Sequence, residues 1–403
     1  MRVAAIGAGV VGVTTAYYLA KSGHDVIVID RARDVADGAS HANGGQLSYS
    51  FTDALAKPDF LKKIPALIAG RDLGSQMRLA PALIPWGLRF LRQCTSERAR
   101  QNTLAVLKIA MRSATLLQEL NTSIDIEFSH RAAGKLILLA NEDELAAATA
   151  STLLKNEHGS DSVILGVDEA IGVEPALAHL AGAFAGAVYS RSDEVGDARL
   201  FTRRLKEWLE QNTSARFHLG VAVDEIVTAE RQVRCIRAGG ESIDVDAVVV
   251  CCGAWSGKLL RPLGLDPHIY PVRGYSVTLP LGESAPSVSV TALNKRIVFS
   301  RMNDSMRIAG FADFNGFSTT QDDARIRSML TTAKAYAPHA ANYDAKDQQH
   351  WGGFRPMTPD GIPKVGRTRL EGLFLNTGHG MLGWTLACAC AYDVAASISN
   401  TNH

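Results

Sequence analysis

One arginine stands in a stiff frame: GGFRPMTPDGIPKVGRT, residues 352–368, sets Arg355 among four glycines and three prolines. That punctuation excludes a helix interior, and Pro356 biases the backbone before it toward an extended conformation. A guanidinium is planar, permanently charged and matched to a carboxylate by two parallel hydrogen bonds. Arg355 is therefore a candidate clamp for a carboxylate-bearing substrate; the alternative is an ion pair with Asp360 or another internal acid. Tyr275, in PVRGYSVT, is a second pocket candidate, through a hydroxyl near the substrate's carboxylate or amine. The alternative for Tyr275 is a ring packed on a sheet. Arg273, two residues earlier, reads as structural or interfacial.

A second pattern binds rather than reacts. Gly7, Gly9 and Gly12 form GAGVVG between a short apolar strand (RVAAI) and a helix (VVGVTTAYYLAKSG) that includes Val10 and Val11. Glycines there permit a tight turn, close approach of backbone to a pyrophosphate and close helix–strand packing. The helix start offers free N–H groups and the positive end of its dipole to phosphates. Asp30 ends the next strand, DVIVID, where an acid can bond ribose hydroxyls. The motif alone does not choose between NAD and FAD. Arg31 and Arg33, which would suit a 2′-phosphate, follow Asp30 on what reads as a solvated face, with Arg31 kept among the cofactor candidates.

Two further stretches carry small and polar residues. GASHANGGQLS, residues 38–48, can bring backbone close to a cofactor and supply N–H and hydroxyl donors; the alternative is a flexible loop. In NTGHGMLGWTLACACAY, residues 376–392, a strand ends at Asn376, a glycine turn follows and a helix begins near Met381. Its amides and dipole favour a developing anion, such as the charge near N1 of a reduced flavin, with His379 as a candidate contributor.

The elements that must position these residues alternate in type. Helical spacing runs through ERARQNTLAVLKIAMRSATLLQEL, EDELAAATASTLLKN and ARLFTRRLKEWLEQ, whereas residues 270–312 alternate apolar and polar as in an antiparallel sheet. The spacing predicts an α/β protein: a Rossmann-like dinucleotide-binding domain with an inserted antiparallel-sheet α+β substrate domain. The expected division gives residues 1–50, 180–255 and 340–403 to the first, and 51–179 and 256–339 to the second. The 403 residues suffice for two such domains. A formal net charge of +1 leaves no basic face for nucleic acid. The six cysteines show neither zinc-ligand nor CxxC spacing, which predicts no metal site and free thiols in a reducing, cytoplasmic setting. The glycine-interrupted N-terminus reads as mature structure rather than a signal peptide.

Together, GAGVVG with Asp30, SHANGGQLS, VVVCCGAWS, PVRGYSVTLP, GGFRPMTPDGIPKVGRT and NTGHGMLGWT resemble the motif set of bacterial FAD-dependent D-amino-acid dehydrogenases of the small-subunit type. These belong to the D-amino-acid-oxidase superfamily, with glycine and sarcosine oxidases. The resemblance runs from residue 1 to about 395. It implies non-covalent FAD, with Asp30 on the adenosine ribose and the first glycines at the pyrophosphate. Ser40, Asn43, Gly44, Gly45 and Gln46 would lie near the pyrophosphate and flavin. Gly378, Gly380, Met381, Leu382, Gly383 and Thr385 would line the flavin's polar edge, and Cys252, Gly253, Ala254 and Trp255 another cofactor contact. The implied reaction is oxidative deamination: hydride leaves the α-carbon of a neutral D-amino acid for flavin N5, and water hydrolyses the imino acid to a 2-oxo acid and ammonia. Electrons would pass to a quinone or another respiratory-chain component. The rival within the superfamily is oxidation of a secondary amine such as hydroxyproline, sarcosine or an opine, in a hetero-oligomer or alone. Outside it stand an NAD-dependent dehydrogenase and a flavin-bearing electron-transfer subunit.

Residues 54–93 change character. Lys57, Lys62, Lys63, Arg71, Arg78, Arg89 and Arg92 outnumber Asp59 and Asp72, between apolar pieces that carry Trp86 and Phe90. The segment reads either as a peripheral contact with the inner face of the membrane or as a lid whose apolar side covers the substrate domain or a partner subunit.

Overall fold

The computed structural model describes residues 1–320 and 322–400. Strand Arg2–Ile6 is buried on both faces, as a central parallel strand must be. It pairs in parallel with Asp25–Asp30 on one side and with Ala247–Val250 on the other. The full six-stranded order is Lys364–Arg367, Leu373–Thr377, Ala247–Val250, Arg2–Ile6, Asp25–Asp30, Arg216–Leu219. Only the first pairing is antiparallel. One face of this sheet packs Val3, Ala5, Val26 and Val28 against helices Val10–Lys21, Ala198–Asn212 and Gly383–Ser399. The other packs Ala4, Ile6, Ile27 and Ile29 against a three-stranded meander within Val223–Asp244.

The second sheet has eight strands, ordered Gln349–Met357, Tyr270–Pro280, Ser305–Asp313, Ile297–Met302, Ser289–Ala292, Lys135–Leu139, Gly186–Ser190, Val163–Leu165. Its pairings are antiparallel except Ser289–Ala292 with Lys135–Leu139. Helix Asp322–Tyr336 covers its apolar face through Ile326, Met329 and Ala333. Two stretches expected in the dinucleotide-binding part, residues 186–190 and 349–357, lie in this sheet instead. Nothing in either segment's residues marks which sheet it would join.

Within 54–93, helices Pro58–Ile68 and Leu83–Gln93 form. Leu83, Trp86 and Phe90 pack on Tyr270, Val272, Phe314 and Met357, and Trp86 Nε1 donates to the Met357 carbonyl at 2.9 Å. The segment therefore covers the eight-stranded sheet with its inner side.

The two sheets meet where strand Gln349–Met357 ends and the chain turns through Thr358–Pro363 into strand Lys364–Arg367. Arg355 sits at that junction.

Candidate functional site

Four chain segments leave the parallel strands at their carboxyl ends: Gly7–Gly12, the residues after Asp30, Cys252–Trp255 and Gly378–Leu382. This edge is where open α/β sheets bind ligands. At the first, Gly7 has φ +111°, and a Cβ on Gly12 would stand 1.8 Å from the Gly7 carbonyl oxygen. No other residue fits that turn. A Cβ on Gly9 would meet only Ser40 Oγ, at 3.4 Å, so the space above Gly9 is open. Ser40 Oγ accepts the Val10 N–H at 3.1 Å, holding the loop of residues 38–48 over the helix start.

Asp30 accepts the N–H of Ala8 at 2.7 Å and of Ala32 at 2.8 Å, one on each oxygen. Those bonds fix the carboxylate and leave each oxygen a further lone pair for hydroxyl donors. Arg31 lays its guanidinium over the Trp255 ring, 4.0 Å from the centroid, and Trp255 stacks on Phe317. Arg31 is exposed as expected, yet it packs on a cofactor-candidate residue instead of standing free in solvent. Cys252 is half-buried, donates its thiol to the Ile6 carbonyl, and burial pushes its pKa up.

Asn43 Oδ1 accepts the Gly45 N–H at 3.0 Å, and Gly45 adopts φ +67° with the Met302 methyl where a Cβ would sit. Gly44 packs on Ala309. The Gln46 side-chain amide donates to Ser289 Oγ at 2.6 Å and Thr291 Oγ1 at 3.3 Å. Two residues on, the Ser48 N–H donates to Thr385 Oγ1 at 3.0 Å, tying this loop to the last helix.

That helix starts at Gly383, two residues later than the sequence suggested. Gly378 and Gly380 take φ +79° and +57°, which keeps the turn non-helical through Leu382. Met381 is exposed. His379 is 3% exposed, its Nε2 has no hydrogen-bond partner, and burial lowers its pKa to about 4. A buried polar atom without a partner is rare and marks a place where another group is expected. Together with the glycine cradle and the fixed Asp30, it makes these residues fit a dinucleotide whose ring system reaches the C-terminal turn.

Arg355 adjoins that turn directly. The Gly380 N–H donates to the Pro356 carbonyl at 3.0 Å, and a Cβ on Gly378 would strike Thr358. The guanidinium is half-buried and donates to the Phe311 carbonyl at 2.7 Å and the Gly310 carbonyl at 3.4 Å. The internal ion pair weighed as an alternative does not form: Asp360 holds Lys364 at 2.9 Å, and no carboxylate among the described residues pairs with Arg355. Burial draws the guanidinium's pKa down to about 10, opposed by Asp313 and Tyr275. It remains a cation at neutral pH and pairs directly with no carboxylate of the described residues.

Tyr275 is 3% exposed and donates its hydroxyl to Asp313 Oδ2 at 2.8 Å. Burial, then Asp313, push its pKa up. Its proton is committed to that carboxylate, which favours the packed-ring alternative over a free hydroxyl in the pocket. Arg273 is structural: it pairs with Asp322 and lies over the Phe354 ring.

Sequence reasoning missed Gly274. A Cβ there would lie 2.5 Å from Arg355 Nη2, so the guanidinium rests on bare backbone. A glycine inside a strand signals such a close approach, and PVRGYSVT displayed it. It also missed Asp313 and Arg325, for which no local signal exists.

The chain matches the model of the DAO family, FAD dependent oxidoreductase, over residues 2–397. It belongs to that family, and its cofactor is FAD. The D-amino acid dehydrogenase of Dechloromonas aromatica is 38% identical across 99% of this chain and 97% of that protein. D-amino acid dehydrogenase 2 of Ralstonia nicotianae is 39% identical across 97% and 95%. Among solved structures, L-proline dehydrogenase from P. horikoshii superposes with a TM-score of 0.78 at 18% identity, over 99% of this chain and 93% of that one. Glycine oxidase from Geobacillus kaustophilus gives 0.76 at 23%, over 99% and 95%. Both confirm the fold.

Proposed function

We propose that this chain is an FAD-dependent D-amino-acid dehydrogenase, with Arg355 as the substrate's carboxylate clamp. The observation that carries the reading is a half-buried guanidinium without an anion, one peptide bond from the backbone contact between Pro356 and the His379 turn. Full-length relatives named D-amino acid dehydrogenase support the substrate class. Bound FAD supplies the acceptor for the two electrons and the hydrogen leaving the α-carbon. Arg355 would hold the carboxylate and so orient the adjacent C–H, and orientation of this kind is worth several powers of ten in rate. The His379 turn and the start of helix Gly383–Ser399 present neutral donors and a positive dipole end that would favour negative charge on a bound ring; because the amine reacts in its neutral form, no strong protein base is required. The amino acid becomes an imino acid, which water converts to a 2-oxo acid and ammonia. The six-stranded part would then hold the cofactor and the eight-stranded part the substrate.

Anaerobic mixing with a panel of D- and L-amino acids and secondary amines, read as flavin bleaching, tests this. Bleaching by D-amino acids that is lost in Arg355→Ala is the expected result. Bleaching only by secondary amines, or a purified chain without flavin absorbance, would refute it.

The route out for electrons is read from the insert. Seven of the thirteen large apolar side chains exposed among the described residues, including Leu73, Leu79, Ile84 and Leu88, lie between Leu61 and Leu91. No helix among the described residues is long and apolar enough to cross a membrane. Apolar outward residues flanked by cations suit a peripheral contact with an anionic bilayer, where a quinone acceptor resides. Co-sedimentation with phosphatidylglycerol vesicles, lost on Leu73→Glu with Leu88→Glu, is expected; equal sedimentation of both proteins would refute it.

A further inference from the structure

The carbonyls that hold Arg355 come from a bend with an abnormal residue in it. Phe311 is 2% exposed and has φ +53°, a conformation that bulky side chains rarely adopt. Opposite it, the pairing of Ser305–Asp313 with Tyr270–Pro280 slips between Arg273 and Tyr275, so the strand bulges. The bulge turns the Gly310 and Phe311 carbonyls toward Arg355. A backbone in such a region persists only where its surroundings over-determine it.

Arg325, from helix Asp322–Tyr336, supplies those surroundings. Its guanidinium lies 4.4 Å from the Phe311 ring centroid and donates from Nε and Nη2 to Asp313 at 2.8 and 2.9 Å. Asp313 is fully buried and also accepts the Tyr275 hydroxyl and the Gln76 N–H. The remaining arm of Arg325 donates to the Leu73 carbonyl at 3.0 Å. Residues 73–77 are sewn onto the same bend, with Ala312 N–H on the Gly74 carbonyl and Phe314 N–H on the Gln76 carbonyl. One buried ion pair thus grips the bend from behind while its carbonyls hold the clamp in front.

We propose that Arg325 and Asp313 are positioning residues for substrate binding, which aim Arg355 by holding Phe311 in its left-handed conformation. The inference rests on the clamp reading of Arg355 given above. It also makes the strap at Leu73–Gln76 a third support, so that the insert and the substrate site share one anchor. Neither positioning residue touches substrate or cofactor; each acts through the Phe311 and Gly310 carbonyls.

The test is steady-state kinetics of the FAD-loaded enzyme with D-alanine and a dye acceptor, alongside titration of flavin absorbance with benzoate as an unreactive carboxylate. Arg325→Met should raise KM and the benzoate dissociation constant about tenfold and lower kcat several-fold, because a misaimed clamp also misorients the reacting C–H. A merely structural role would lower the melting temperature and the active fraction, and leave KM alone. Arg325→Lys keeps a cation beside Asp313 without the paired bonds or the stack on Phe311, and should raise KM about threefold. Adding Phe311→Gly to Arg325→Met should recover part of the loss, because glycine accepts the positive φ unaided. If Arg325→Met does not fold, Arg325→Lys decides. KM and benzoate affinity within 1.5-fold of wild type in the folded variants would overturn the proposal. Unchanged KM in Arg355→Ala would instead overturn the clamp reading, and this inference with it.

Discussion

Gly274→Ala separates the function of Arg355 from the stability of the fold. The new methyl would stand 2.5 Å from Arg355 Nη2, 2.6 Å from Cζ and 2.9 Å from Nε, where ordinary contact begins at 3.4 Å. The guanidinium must therefore withdraw by about 1 Å, a misplacement that can cost roughly a hundredfold in rate. Its 2.7 Å bond to the Phe311 carbonyl would be lost over the same distance. The obstacle is the far end of a flexible side chain and Gly274 has no positive φ, so the strand itself accommodates alanine. We expect kcat/KM for a D-amino acid to fall about 30–100-fold, or about 2–3 kcal/mol in transition-state binding, with FAD content and melting temperature close to wild type. Gly352→Ala is the matched control. Its methyl would meet the Arg273 guanidinium at 2.7 Å and disturb the Asp322 pair, so stability should fall with little change in KM. Measurement needs anaerobic flavin reduction at varied substrate and a thermal melt of each variant. A Gly274→Ala enzyme within threefold of wild-type kcat/KM would refute the placement of the clamp.

Gly12→Ala should yield protein without bound flavin and destabilised by at least about 3 kcal/mol, since its methyl meets backbone oxygen at 1.8 Å and nothing there can give; flavin absorbance and a denaturant melt check this. Burial lowers His379 to about 4, so the native state binds fewer protons than the unfolded chain between there and 6.5, and stability from this group falls on acidification. Asp193, raised to about 6 by burial, works the other way: its native state binds more protons between 3.8 and 6, so its contribution rises on acidification. The two oppose each other, and Asp193→Asn should show a steeper loss of melting temperature from pH 6.5 to 4 than wild type. Lys135, lowered by burial to about 8, should add stability as pH rises from 8 toward 10.5, a gain that Lys135→Met lacks in the same melts.

Local patterns were legible wherever one segment settles its own state. The βαβ opening appears as read, at Arg2–Ile6, Val10–Lys21 and Asp25–Asp30, because glycine spacing and apolar runs act within thirty residues. The helix read at 97–120 forms as Ser96–Ile124, capped by Thr95 accepting the Arg98 N–H. The alternation across 270–312 became four strands of one sheet. Sheet membership was not legible. Nothing within Gly186–Ser190 says that it pairs with Lys135–Leu139, and Gln349–Met357 joins Tyr270–Pro280 across the 68 residues between them. At the site, the extended backbone at Arg355 was legible because Pro356 and the glycines constrain it before any tertiary contact forms. The partners of Tyr275 were not: Asp313 and Arg325 come from a strand and a helix whose meeting only the folded core decides.

The order of strands in the six-stranded sheet has a consequence for synthesis. Val3 pairs with Val26 at once, but its other neighbour, Ala247, and that strand's own neighbour, Leu373, leave the ribosome far later. Until then strand Arg2–Ile6 lacks its neighbour on that side, beside the glycine turn of residues 7–12. The sheet that carries this glycine turn is therefore complete only once strand Leu373–Thr377 has been made, so its central pairings onto Ala247–Val250 are all of high sequence separation.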